Sequence, residues 1–163
     1  MAARRAPREE PLPELAPIRP ADTGDIYDIY MLNCQSFIEA WSLMALGMWQ
    51  ERGDDLDVLY TADGVLAAYY LGQNVLDEVH IMQLAVAPQF RRLSLGQRLM
   101  QHEIQRKRAA GMKQMLLEVR ESNRAARRLY ASLGFEEVGR RSGYYAPVDH
   151  HPPEDALLMD FRL

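Results

Sequence analysis

The sequence predicts an α/β (α+β) fold, a mixed and mostly antiparallel central sheet with helices on both faces. Three observations predict it. Strand-like and helix-like segments alternate in the order strand, two helices, three strands, helix, strand, helix, two strands. Glycines or prolines punctuate most of the boundaries. The chain shows no internal repeat and no interdomain linker, so the elements must bury their apolar faces against one another in one layered body.

Residues 1–16 are rich in Pro, Arg and Glu, offer little to bury, and are expected to form a mobile tail ahead of a single domain over 17–163. Ile18-Arg19-Pro20 reads as a short first strand, and Asp22 or Thr23 can cap the helix that follows. Ile26, Ile29, Tyr30 and Leu32 give that helix a 3.6-periodic apolar face, and a second helix is expected from about Trp41 to Gln50. Asp57–Ala62 and Val65–Leu71 alternate like strands around Asp63-Gly64, a strong hairpin-turn pair. After a turn at Asp77-Glu78, Val79–Val86 is a third long strand, stopped by Pro88. A helix then runs to about Ala110, burying Leu95, Leu99, Met100 and Ile104, with Arg106, Lys107 and Arg108 in its last turn to complement the dipole and Gly111 as the stop. Met115–Val119 is a short apolar strand. Ser122 or Asn123 caps a helix that buries Ala126, Leu129 and Leu133 and ends at Gly134. Two strands close the chain, near Phe135–Tyr144 and Asp155–Phe161.

Composition narrows the function. A net charge of −4 over 163 residues lacks the basic excess of a nucleic-acid binder, so no direct nucleic-acid partner is expected. One cysteine, Cys34, permits no internal disulfide; it is expected to be an ordinary buried thiol. The N-terminal stretch has arginines but no apolar core, unlike a secretory signal, and no apolar run approaches the roughly 20 residues of a membrane helix. The expectation is a cytoplasmic protein without a membrane partner, a monomer or weak dimer. His150-His151 lacks partners at metal-ligand spacing, and no metal is expected.

The first chemical signal is Arg91-Arg92-Leu93-Ser94-Leu95-Gly96, lying between a strand and a helix start. Free N–H groups at a helix N-terminus face an anion, and flanking arginines add charge-assisted contacts to a phosphate. No Gly-Lys-Ser/Thr follows, which excludes a P-loop, and only one glycine of a dinucleotide fingerprint is present.

This junction resembles the Gln/Arg-x-x-Gly-x-Gly/Ala loop with which GNAT acetyltransferases cradle the CoA pyrophosphate, with Ser94 in place of the first glycine. From about Leu76 to Met159 the chain looks like a RimI-type ribosomal-protein alanine N-acetyltransferase, on the stretches Val75–Glu78, Leu84–Pro88, Leu117–Asn123, Leu129–Phe135 and Arg140–Tyr145. The resemblance implies a GNAT fold with acetyl-CoA as co-substrate. Leu84, Ala85 and Val86 would lie along the pantetheine arm, Arg92, Leu93, Ser94, Leu95, Gly96 and Gln97 around the pyrophosphate, and Asn123 beside the thioester. Glu118 matches the family's general base and Tyr130 its general acid. The implied acceptor is a protein N-terminus on a basic ribosomal-protein peptide, by resemblance the alanine that begins the eighteenth small-subunit protein. Where the family often shows an aromatic-Pro-Trp turn, Phe37-Ile38-Glu39-Ala40-Trp41 keeps the aromatics without the proline.

These residue types suit amide formation from a thioester. The attacking amine must be neutral. An α-amine (pKa about 7.7–8.0) is easier to deprotonate than a lysine (about 10.4), and a carboxylate can take the proton directly or through water. On a strand, Glu118 shares a face with Leu116 and Arg120, opposite Met115, Leu117 and Val119. Read without the resemblance, Glu118 is a surface carboxylate paired with Arg120 and Tyr130 a core tyrosine. Two other functions stay open: the same chemistry on a lysine or small amine, and a CoA-binding protein without turnover.

Overall fold

The computed structural model describes residues 12–163. Its elements are β1 (Arg19–Pro20), α1 (Ile26–Ser36), α2 (Leu43–Glu51), β2 (Asp55–Tyr60), β3 (Leu66–Val75), β4 (Glu78–Val86), α3 (Leu95–Ala109), β5 (Gln114–Arg120), α4 (Arg124–Ser132), β6 (Glu136–Tyr145) and β7 (Glu154–Arg162). This is the expected order. The seven strands form one sheet, β1-β2-β3-β4-β5-β7-β6, with neighbours antiparallel except for the parallel pair β4/β5.

Each face of the sheet carries its own core. Ile26, Ile29 and Leu32 of α1 and Leu46 and Trp49 of α2 close over Leu56, Val58, Tyr69, Leu71 and Ala85. Leu95, Leu99, Met100 and Ile104 of α3 and Tyr130 of α4 close over Tyr70, Val79, Ile81, Met115, Leu117 and Val119. Each such aliphatic side chain contributes about 1.5–3 kcal/mol on leaving water. Asp22 caps the turn before α1, taking the Gly24 N–H at 2.8 Å, while Asp25 reaches back to the Asp22 N–H at the same distance, a complete capping box. Among the described residues, no helix is long and apolar enough to cross a membrane.

Three expectations are corrected. Most of the expected tail, residues 1–11, lies outside the described residues, but 14–16 are part of the sheet edge: the Ala16 N–H bonds the Tyr60 carbonyl at 2.9 Å, Ala62 bonds Glu14 at 2.7 Å, and Leu15 bridges Thr61. Leu15 also packs on the core of the α3 face, which a polar composition elsewhere in the segment concealed. Cys34 is exposed rather than buried, because α1 turns Asn33 inward instead. Arg106 and Lys107 do not merely decorate the end of α3. Arg106 reaches Asp57 at 2.9 Å, Asp55 at 3.2 Å and Glu103 at 2.6 Å, and Lys107 joins Asp55 and Asn74.

This cluster clamps α3 to β2 and β3 with three carboxylates and two cations, all but Arg106 largely buried. Burial, reinforced by the Asp57 charge and opposed by Arg106, raises the Glu103 carboxyl from 4.5 to about 7. The folded protein therefore binds more protons than the unfolded chain between those two values, and stability falls as pH rises through that window, by about 1.4 kcal/mol per pH unit at most. Glu103→Gln is expected to flatten the decline, as read by urea unfolding at pH 5, 6 and 7. An unchanged slope would assign it elsewhere.

Candidate active site

The parallel pairing of β4 with β5 runs only from Glu78↔Gln114 to Ile81↔Leu117. Beyond it β4 pairs with β3 alone, and β5 with β7 alone, through Glu118↔Leu158, Val119↔Leu157 and Arg120↔Ala156. The sheet thus opens into a wedge between Met82–Val86 and Glu118–Arg120. A β-bulge sits where it opens: Gly72 pairs with Ile81 and Leu71 with Gln83, so Met82 is the extra residue. The bulge reverses side-chain parity. Val79 and Ile81 point into the α3 face, whereas Gln83 and Ala85 point to α1, and Leu84 and Val86 become half-buried on the α3 side.

Gln83 is pinned there by a buried network. The Asn33 amide donates to Gln83 Oε1 at 2.6 Å and to the Tyr69 hydroxyl at 2.9 Å, Tyr69 donates to Gln83 Oε1 at 2.9 Å, and Trp41 N–H donates to Asn33 Oδ1 at 2.7 Å. Satisfied buried polar groups specify one arrangement. This one ties α1, the 37–42 segment, β3 and β4 together at the wedge.

At the wide end of the wedge, α3 begins. Its first intrahelical bond is Arg98 N–H to the Ser94 carbonyl at 3.0 Å, which leaves the N–H groups of Leu95, Gly96 and Gln97 pointing outward as an anion seat. Gly96 sits against its neighbours: a Cβ there would lie 3.2 Å from Leu129 and 3.5 Å from Val86. Arg92 and Ser94 both have left-handed backbone, φ +64° and +58°, and Ser94 makes no side-chain cap bond. A left-handed non-glycine residue costs about 1–2 kcal/mol, against about 0.5–1 kcal/mol of added chain entropy for glycine. Ser94→Gly is therefore expected to raise the melting temperature by a few degrees. A lower melting temperature would mean that the serine hydroxyl contributes more than its strain costs.

Across the wedge, α4 starts at Asn123, whose Oδ1 accepts the Ala126 N–H at 3.2 Å. Asn123, not Ser122, is the cap. Tyr130 is the one buried residue of α4; its ring packs 5.4 Å from Phe135, and burial pushes its phenol well above the usual range. Ala126, Leu129 and Leu133, expected to be buried, are only half-covered, since part of that face borders the opening.

On the other face of β5, Glu118 is half-buried and pairs with Arg141 at 3.2 Å, not with Arg120. The alternation Met115/Leu117/Val119 in, Leu116/Glu118/Arg120 out holds as read. The neighbouring Glu118 carboxylate raises the Tyr144 phenol, and the Arg141 guanidinium lies 5.4 Å from the Tyr144 ring. Tyr145 meets Tyr144 edge-on at 5.1 Å and is pushed up to about 12 by burial and by the Glu118 charge.

The acetyltransferase (GNAT) family model matches residues 25–135. The chain belongs to the acetyltransferase (GNAT) family. Among curated members, it is 37% identical to the [ribosomal protein bS18]-alanine N-acetyltransferase of Escherichia coli strain K12 over 139 residues, 85% of this chain and 91% of that one. It is 43% identical to the Salmonella typhimurium protein of the same name over 104 residues, 64% of this chain and 69% of that one. The crystal structure of the Escherichia coli ribosomal-protein-S18-alanine N-acetyltransferase superposes with a TM-score of 0.81 at 34% identity, covering 90% of this chain and 92% of that one. The fold is shared more widely: Arabidopsis thaliana Naa50, solved with the bisubstrate analogue CoA-Ac-MVNAL, gives a TM-score of 0.78 at 17% identity over 92% of this chain and 99% of that one.

Within this GNAT chain, the wedge gathers Leu84, Val86, Gly96 and Leu129 in one cleft. Ala85 contributes backbone only, since its side chain lies under α1 and α2. Arg91 is turned back, its Nε on the Val86 carbonyl at 3.2 Å. Glu118 and Tyr130 approach from opposite faces of the sheet. A groove of about 480 Å³ on the flank of α3, lined by Leu12, Leu15, Arg98 and Gln101, adjoins the wedge through Leu93, Ser94, Leu95 and Gln97 and contains none of its β4, β5 or α4 residues. No cluster of three metal-ligand side chains occurs among the described residues. The sequence marked Arg141, Tyr144 and Tyr145 only as part of the Arg140–Tyr145 resemblance and gave them no place around Glu118. Gly143, at φ +61°, lies in the irregular stretch of β6 that carries them and was the available signal.

Proposed function

We propose that this GNAT chain transfers acetyl from acetyl-CoA to the α-amine of a protein N-terminus, the alanine that begins ribosomal protein bS18, as its 37% identical Escherichia coli relative is named for. The observation that carries this reading is the wedge itself. It offers an unpaired strand edge to an extended amide-bearing arm, a helix N-terminus to a diphosphate, and a carboxylate and a buried phenol on its two sides.

Leu84, Ala85 and Val86 are the backbone edge for the arm. Arg92, Leu93, Ser94, Leu95, Gly96 and Gln97 form the anion seat, and Asn123, its Nδ2 free of the helix cap, serves the thioester end. The amine attacks the thioester carbon directly, forming a C–N bond as the C–S bond breaks. Glu118 takes the amine proton and Tyr130 gives its proton to the departing thiolate. The phenol is protonated at neutral pH, so its proton is available to the thiolate. Arg141 occupies the Glu118 carboxylate as a cation would, which suits Glu118 to meet an ammonium. We place the enzyme in the cytoplasm, where its acceptor is made, and the single domain over 17–163 extends to residue 14 on the sheet-edge pairing.

Incubation with acetyl-CoA and a panel of peptides, read by mass spectrometry, tests the acceptor. Acetyl is expected on the α-amine of an alanine-first basic peptide. Acetyl confined to lysines or small amines would reject this reading in favour of the second acceptor class.

A further inference from the structure

Arg120 ends β5 two residues beyond Glu118 and on the same face. Its side chain is 15% exposed. One Nη contacts Glu39 at 3.2 Å, the other Glu154 at 3.3 Å, and the guanidinium lies 4.0 Å over the Tyr145 ring. The second oxygen of Glu154 accepts the Ser122 N–H at 2.6 Å. One planar fork therefore joins the 37–42 segment, the ends of β5 and β6, the start of β7 and the β5–α4 turn.

The other ties of the 37–42 segment lie at its two ends: Phe37 packs on the α1/α2-face core and its N–H bonds the Asn33 carbonyl at 3.1 Å. Trp41 is held from beneath by Asn33 and by its ring contact with Trp49 at 5.1 Å, and Ser42 caps α2. Glu39 is half-exposed, and Arg120 is its ion-pair partner among the described residues. The Glu39 arm, half-exposed, adds little to stability, about 0–1 kcal/mol. It does fix geometry, because only a guanidinium spans two carboxylates while stacking on a ring.

We propose that Arg120 is a positioning residue for the acceptor. It draws the 37–42 segment onto the end of the sheet beside Glu118 and holds Tyr145 against it, so that the wall around the incoming α-amine is formed before the acceptor arrives. This rests on the N-terminal acetylation reading. Arg120 acts through Glu39 and Tyr145, and touches neither the thioester nor the diphosphate seat.

The test compares Arg120→Gln, Arg120→Lys and Glu39→Gln in the full chain. Arg120→Gln is expected to raise KM for the alanine-first peptide about tenfold, with kcat within about twofold and acetyl-CoA affinity unchanged, while loss of the largely buried fork lowers the melting temperature by a few degrees. Arg120→Lys should recover part of the loss, since one ammonium cannot bridge both carboxylates. Glu39→Gln should reproduce most of it, and the double variant should add little to Arg120→Gln alone. Amide hydrogen exchange at 38–42, read without substrate, should speed up about tenfold in Arg120→Gln. Unchanged exchange and peptide KM would overturn the clamp, as would parallel losses of melting temperature and acetyl-CoA affinity. A wild-type enzyme that acetylates no peptide would instead overturn the acceptor reading, and the exchange measurement would still decide whether Arg120 holds the segment.

Discussion

Glu118→Gln is expected to lower turnover of an alanine-first peptide by about 10²–10⁴-fold, the usual contribution of a positioned general base. The loss should be steepest at low pH. There the amine arrives as an ammonium and the proton acceptor is needed in every cycle, whereas at high pH a growing fraction of amine binds already neutral. Stability should hardly move, because the Arg141 pair given up is solvent-exposed at the arginine end and worth about 0–1 kcal/mol. Steady-state rates from pH 6 to 9 check this. A parallel pH profile in the two proteins would remove Glu118 from the base role.

Tyr130→Phe is expected to cost about 10²-fold or more in kcat while leaving acetyl-CoA affinity within about threefold. Phenylalanine fills the same space, so the packing on Phe135 at 5.4 Å and the cover over the α3-face core are kept and only the proton donor goes. Binding by calorimetry and turnover by thiol release separate the two effects. A large binding loss with proportionate loss of stability would make Tyr130 a structural residue of α4.

Both side chains were legible in the sequence because their surroundings are local. The alternation through Met115–Arg120 fixes which way Glu118 points, and the 3.6 period of α4 puts Tyr130 on its inner face. The helix caps and hairpin turn were legible for the same reason. The opening of the sheet was not. Ile81-Met82-Gln83-Leu84 can be read as alternating in either parity, and only the pairing of Gly72 with Ile81 and Leu71 with Gln83 reveals the extra residue. Nor were the charge clusters: Arg106 meets Asp55 and Asp57 from about fifty residues away, and Arg120 meets Glu39 from 81. Such partners are chosen by the folded sheet. Arg120 beside Glu118 suggested a local pair, yet alternate residues on a strand diverge toward different neighbours, Arg141 for one and Glu39 with Glu154 for the other.

The most direct measurement is a crystal structure with a conjugate in which CoA is joined through an acetyl bridge to the α-amine of an alanine-first peptide. The pantetheine arm is expected along Leu84–Val86, the diphosphate on the N–H groups of Leu95–Gln97, the Tyr130 hydroxyl at the sulfur, and Glu118 within one water of the α-nitrogen. A conjugate bound away from the Leu84–Val86 edge, or one bound in the wedge with Glu118 and Tyr130 turned away from it, would contradict this placement.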